Sequence, residues 1–343
     1  MIDLDEVFFG VVRAALVVIA FVLWRSSKRR AYVADGGAVA TRQTANPPEG
    51  GKVQQLTRGH CHYRIDGEKN SGKLVVLVHG LIGCTLDYGP LCKILVEQHR
   101  RRVLRLDLYG RGWSTAPLMG ADSLPELYAG QIAELLFAIG ERGPIDLVGN
   151  SMGGAIAACF AARFGRAHVA SVTLVVPAGL SAVDKTIPAW QQRLYDVLEE
   201  LPFVPKHLLR ANVQARLDKL KDEQYSHWTV PNNDVIRKYY HDYQAKRLAR
   251  ERYLADAYIE TLRSFPLSAS KPLFEALARS EVPCMVCWSK LDRRVPFACA
   301  EEMRAIFAGA DFEEHISEDG GHSLVIENAP FVAERFVPFS RKN

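Results

Sequence analysis

Three things are scarce in this chain, and each scarcity closes off a class of protein. Net charge is scarce: 43 lysines and arginines against 39 aspartates and glutamates leave a formal +4 over 343 residues. Part of that small excess is local to Arg25, Lys28, Arg29 and Arg30, beside an apolar run, so no basic stripe for nucleic acid is left over. A cysteine framework is missing. The seven cysteines, at 61, 84, 92, 159, 284, 287 and 299, are odd in number, show no framework spacing and fall largely in apolar segments, which reads as reduced, packed thiols. Cys284 and Cys287 spell CxxC, yet within an apolar strand a spacing of three sends their side chains to opposite faces, which argues against a metal or redox pair. Asn-x-Ser/Thr acceptors are absent, consistent with a chain that stays out of the secretory lumen.

What is present in quantity is apolar: 48% of the residues are hydrophobic, enough to bury a sizeable core in one large domain or two small ones. The longest run comes first. Val7 to Trp24 is 18 residues, which as a helix would span about 27 Å, close to the thickness of a bilayer core. Arg13 opposes insertion by about 2.5 to 3.5 kcal/mol, while the Val, Leu, Ile and Phe residues each return about 0.3 to 0.6 kcal/mol. Insertion wins that comparison, and Arg13 lies near enough to the segment's start to snorkel. Asp3, Asp5 and Glu6 precede the run and the Arg25 to Arg30 cluster follows it, the reverse of a cleaved signal peptide. The expectation is an uncleaved anchor over 1–30, with the basic flank and the bulk of the chain on the cytosolic side. Residues 31–52 turn to Gly, Ala, Thr and Pro and read as a flexible linker.

From Val53 the pattern is that of an α/β domain. Val53–Thr57 and Cys61–Ile65 read as an antiparallel pair, Leu74–Val78 as a strand buried on both faces, and Val103–Leu108 and Ser171–Val176 as further strands. Helical spacing appears over Tyr88–Gln98 and from a capping box at Ser123–Glu126 through Ile132, Leu135, Leu136 and Ile139. Such alternation predicts right-handed crossovers and a mainly parallel sheet with helices on both faces, binding at the carboxyl ends of its strands. The rhythm stops over 180–266, a charged and aromatic stretch that reads either as a helical lid over the strand ends or as a peripheral helical subdomain. It resumes over 267–343 with strands at Pro283–Trp288 and Asp311–Ile316, a helix over Phe297–Phe307, and a terminal helix from Asn328. The hydrolytic core would thus comprise 53–179 and 267–343.

The chemistry is concentrated at Ile145 to Ala155. There Gly149-Asn150-Ser151-Met152-Gly153 joins an apolar strand to a small-residue helix. A sharp strand-to-helix turn strains the serine backbone, and side chains two residues either way would strike the neighbouring strand and helix. The alternative is a tight turn whose serine caps the helix. A serine hydroxyl at neutral pH needs a base, and the base needs an acid to fix its tautomer. Asp292 and His322 each follow a predicted strand on the same sheet edge as Ser151, in the order serine, acid, histidine. Asp319 is too close to His322 in sequence to reach round, and His79, in a His-Gly turn, reads as structural. The N–H groups of Leu81 and Met152 are the candidate donors to an oxyanion.

Taken together, His79-Gly80, the Asp107 to Ser114 loop, Gly149 to Gly154, Asp292 with Val295-Pro296, and Gly321-His322 resemble the α/β-hydrolase superfamily. The resemblance covers the chain from Val53 to its end and implies the α/β-hydrolase fold with a Ser151, His322, Asp292 triad and no cofactor or metal. It leaves the substrate open, since the fold serves many chemistries and includes non-catalytic members. The Gly-Asn-Ser-Met-Gly-Gly spelling is similar to that of meta-cleavage carbon-carbon hydrolases. An N-terminal anchor followed by a capped hydrolase domain is similar to membrane-bound monoacylglycerol lipases. The second carries more weight, because an anchored enzyme gains most from substrates dissolved in the bilayer. The expectation is a membrane-anchored serine hydrolase of acyl-lipid esters, with a small-molecule ester and the membrane as its partners; a carbon-carbon hydrolase and a hydrolase-fold interaction protein are the alternatives.

Overall fold

Two kinds of sequence pattern fold into one eight-stranded sheet. A hairpin of partly buried strands, β1 (Lys52–Leu56) and β2 (Gly59–Asp66), leads into strands buried along all or nearly all of their length: β3 (Leu74–Val78), β4 (Arg102–Leu106), β5 (Ile145–Asn150), β6 (Val169–Val175) and β7 (Cys284–Ser289), with β8 (Phe312–Ser317) at the far edge. The spatial order is β1-β2-β4-β3-β5-β6-β7-β8. Pairing is antiparallel for β1 with β2 and for β2 with β4, and parallel from β4 onward. The computed structural model describes residues 50–115, 124–180, 257–258, 261–262 and 264–343. The expected anchor at Val7–Trp24, the linker, the capping-box serine at 123 and most of the expected lid lie outside the described residues. Among the described residues, no helix is long and apolar enough to cross a membrane.

Among the described residues, helices cover both faces. On one face lie α2 (Leu124–Ala138), α3 (Met152–Phe164), α4 (Lys271–Arg279) and α5 (Cys299–Ile306); on the other lie α1 (Gly89–Glu97), the single turn α6 (Leu324–Glu327) and α7 (Ala329–Lys342). The continuous apolar strands need both covers. In β3, Leu74, Val76 and Val78 pack with the first set of helices, and Val75 and Leu77 with the second. Each such side chain taken fully from water is worth about 1.5 to 3 kcal/mol of transfer free energy. Cys284 and Cys287 divide between the two cores in the same way, as their spacing requires, and all seven cysteines are buried and free. The terminal helix α7 is capped by Asn328, whose side-chain oxygen accepts the Phe331 N–H, with Pro330 in its first turn. It is tied down at the amino ends of the strands, where Arg101 donates to both Asp146 and Ser340, and Lys73 donates to the Ser340 carbonyl.

Element ends shift where distant side chains capture backbone groups. β4 stops at Leu106 instead of Leu108, because the Leu108 N–H donates to His79 Nε2 and the Tyr109 N–H to Gln131 Oε1. The helix expected from Phe297 starts at Cys299, since the Cys299 and Ala300 N–H groups close three-residue turns onto Pro296 and Phe297. The connection between β6 and β7 holds the whole irregular stretch. Those two strands are direct parallel neighbours, so the chain leaves β6 at the carboxyl edge of the sheet and enters β7 from the amino edge, and the insertion does not interrupt the sheet.

Candidate active site

Ser151 stands between the end of β5 and the start of α3 with φ 55° and ψ −120°, a conformation that costs a non-glycine residue about 1 to 3 kcal/mol. The glycines around it have no alternative. A Cβ on Gly149 would lie 2.2 Å from the Gly153 carbonyl oxygen, and one on Gly153 would lie 2.1 Å from the Val78 carbonyl oxygen, so helix and strand meet backbone to backbone. The Ser151 N–H donates to the Val175 carbonyl on the adjoining strand, which fixes the turn from behind.

The three side chains expected to meet do meet. His322 Nε2 lies 2.9 Å from Ser151 Oγ, and His322 Nδ1 lies 2.8 Å from Asp292 Oδ2. The other carboxyl oxygen of Asp292 accepts the N–H groups of Arg294 and Val295, at 2.7 and 2.9 Å. With Asp292 accepting on both sides, Nδ1 carries the imidazole proton and Nε2 is left to accept from the serine hydroxyl. The Asp292 side chain is wholly buried while that of His322 is 17% exposed, so the relay opens to solvent at the histidine.

The Gly80–Leu81 peptide lies beside the hydroxyl, where a Cβ on Gly80 would sit 3.2 Å from the Ser151 Cβ. Its direction is set by His79. The Leu108 N–H donates to His79 Nε2 at 3.0 Å, so Nδ1 holds the proton and donates to the Gly80 carbonyl at 2.8 Å. The Gly83 N–H donates to that same carbonyl at 3.1 Å. In a trans peptide the N–H points away from the carbonyl, so two donors on Gly80 turn the Leu81 N–H the other way. Met152 supplies the first N–H of α3, at the positive end of the helix dipole. Among the described residues, neither the Leu81 nor the Met152 N–H takes part in another hydrogen bond. Such an arrangement can activate a hydroxyl, hold the resulting imidazolium and stabilise an oxyanion.

A second layer of carboxylates, Glu327 and Asp107, lies beneath these groups. Glu327, on α6, accepts the Gly321 N–H at 2.9 Å and the Ser323 N–H at 3.0 Å, gripping the backbone on both sides of His322. Burial pushes its carboxyl up to about 7 against the pull of those two N–H groups. Asp107 is buried beneath the His79 loop, where burial alone would raise its carboxyl. The His62 Nδ1–H, 2.7 Å away, and the Trp113 N–H outweigh burial and hold it below the usual range. Asp107 also accepts the Thr85 N–H at 2.7 Å, so it braces the turn that follows the oxyanion loop. A sequence signal existed for Asp107, which opens the glycine-rich loop; Glu327 had none.

A family model described as the alpha/beta hydrolase family matches residues 75–335. The mouse monoacylglycerol lipase ABHD6 is 24% identical over 196 residues, 57% of this chain and 54% of that protein. Lipase 1 of Psychrobacter immobilis is 29% identical over 185 residues, 48% of this chain and 57% of that protein. The chain thus spans about half the length of the curated relatives it matches. Among solved structures, an esterase from Exiguobacterium antarcticum superposes with a TM-score of 0.64 at 18% identity, over 85% of this chain and 99% of that one. With the family model matched over more than half of its length, the chain belongs to the alpha/beta hydrolase family.

Proposed function

We propose that this protein is a membrane-anchored serine hydrolase that cleaves a carboxylic ester of an acyl lipid, such as a monoacylglycerol, through an acyl-enzyme on Ser151. The observation that carries the reading is the unbroken relay from the strained Ser151 through His322 to the buried Asp292, at 2.9 and 2.8 Å. Ser151 Oγ attacks the ester carbonyl as His322 Nε2 takes its proton. The carbonyl oxygen becomes an oxyanion facing the Leu81 and Met152 N–H groups. Collapse expels the alcohol, which leaves with the proton returned by His322, and water then repeats the sequence to release the acid. Asp292 accepts from Nδ1 throughout and orients the imidazole. The chemistry calls for no metal or cofactor. Likeness to a monoacylglycerol lipase supports the substrate class, and the apolar run Val7–Trp24 supports delivery of the enzyme to a bilayer.

The full chain in detergent should be labelled by a serine-directed fluorophosphonate and should hydrolyse members of a lipid-ester panel. Ser151→Ala should abolish labelling, and loss of Ser151 or His322 should lower turnover by up to about a millionfold. Labelling that survives in Ser151→Ala would remove Ser151 as the nucleophile. A wild-type protein that resists labelling alongside a reactive control esterase would favour a non-catalytic member of the family.

A further inference from the structure

Arg111 lies in the loop after β4 and is only 1% exposed. A buried guanidinium keeps its charge and must find acceptors for its donors. It finds four. Nε donates to the Leu81 carbonyl at 3.0 Å, Nη1 to the Tyr109 carbonyl at 3.1 Å and to the Tyr128 hydroxyl at 2.7 Å, and Nη2 to the Thr261 hydroxyl at 2.6 Å. The guanidinium also sits 5.8 Å from the centre of the Tyr128 ring. None of these four acceptors is a carboxylate, so the geometry of the fork, more than charge pairing, decides what Arg111 holds in place.

What it holds is the second peptide plane of Leu81. The first plane, which carries the Leu81 N–H, is fixed through the Gly80 carbonyl by His79 and Gly83. Fixing the Leu81 carbonyl as well fixes both dihedrals of that residue. The anchor at the other end of the fork is Thr261, which belongs to the insertion between β6 and β7. Its hydroxyl donates to the Ala257 carbonyl at 2.7 Å, leaving a lone pair for Arg111. One side chain therefore bridges the oxyanion loop, helix α2 at Tyr128, and the insertion at a point 150 residues away in sequence.

The geometry points to Arg111 as a positioning residue for the oxyanion hole: it locks the Leu81 N–H toward Ser151 and makes that alignment depend on the seating of Thr261. The inference rests on the reading above, in which Leu81 supplies an oxyanion donor. Losing a donor outright costs about a hundredfold to a thousandfold in kcat, and loosening one costs less.

The test measures Arg111→Lys and Thr261→Val in the full chain, with p-nitrophenyl butyrate as substrate, a trifluoromethyl ketone as the tetrahedral-adduct probe, and thermal unfolding as the check on folding. Lysine keeps the charge but lacks the fork. It should lower kcat by about tenfold to a hundredfold with KM within about threefold, and weaken the ketone by the same factor as kcat/KM. Thr261→Val keeps shape and loses the acceptor; kcat should fall by about threefold to tenfold with the same pattern. A folded Arg111→Lys protein with unchanged kcat, or with its loss confined to KM while the ketone binds as before, overturns the inference. If Arg111→Lys fails to fold, Thr261→Val decides on the same criteria. Failure of the underlying reading looks different: there the wild type escapes the fluorophosphonate, whereas here the wild type is labelled and the variants match it.

Discussion

A carboxyl buried beside an imidazole has to be satisfied by hydrogen bonds or by a proton, and Glu327 is placed to use either. Its two oxygens hold the backbone at Gly321 and Ser323, while burial pushes its proton affinity up from an ordinary 4.5 to about 7. His322 pulls that value down and Asp292 pushes it up. Between the unfolded and folded values the native state binds more protons than the unfolded chain, so this group's contribution to stability is full at low pH and is lost as pH rises through about 7. Glu327→Gln cannot titrate. Denaturant unfolding of the wild type should therefore lose stability more steeply than the variant between about pH 5 and pH 7.5, by up to about 1.4 kcal/mol per pH unit. Parallel stability curves for the two proteins would show that Glu327 keeps its charge in the fold.

At the scale of elements, the packing of α3 on the sheet is decided by glycine, and two glycines in helices should respond oppositely to the same change. Gly153→Ala would drive a methyl group to 2.1 Å from the Val78 carbonyl oxygen, so α3 must move off β3 and carry Ser151 with it. That should cost about 1 to 3 kcal/mol in unfolding free energy and greatly slow fluorophosphonate labelling. Gly130, inside α2, meets nothing within 4 Å, so Gly130→Ala should stabilise the protein by about 0.5 to 1 kcal/mol and leave labelling intact. A Gly153→Ala protein as stable and as reactive as wild type would mean that the helix does not bear on the strand as described. The same elements mark what sequence could and could not reveal. Strands such as β3 were legible because burial on both faces is written as an unbroken apolar run, and Ser151 and Asp292 because each follows such a strand; His322 follows the mixed edge strand β8 and was legible from the order serine, acid, histidine. Strand ends were not, since β4 is cut short by His79 and Gln131, residues that come near only after folding. Arg111 and Glu327 escaped for a related reason. Their partners are backbone groups or the hydroxyls of Tyr128 and Thr261 farther along the chain, and no local pattern encodes those.

For the molecule as a whole, the property to be tested is whether it meets a bilayer and through which segment. Among the described residues the exposed large apolar side chains are Val53, Phe137 and Leu291, one on β1, one at the end of α2 and one beside Asp292. Three scattered side chains do not make a patch that holds a protein on lipid. The segment we propose for retention is Val7–Trp24, whose apolar residues return more than Arg13 costs. We propose that this run spans the membrane and that the charges of Arg25, Lys28, Arg29 and Arg30 keep the hydrolase domain on the cytosolic side. The full chain, expressed in cells, should stay in the membrane pellet through an alkaline carbonate wash, and removal of residues 1–30 should release it to the supernatant still able to react with the fluorophosphonate. In sealed, right-side-out vesicles, added protease should spare the hydrolase domain until detergent is added. A full chain that leaves the pellet in carbonate would mean that the apolar run does not span, and the bilayer would then have to be reached by some other surface of the hydrolase domain.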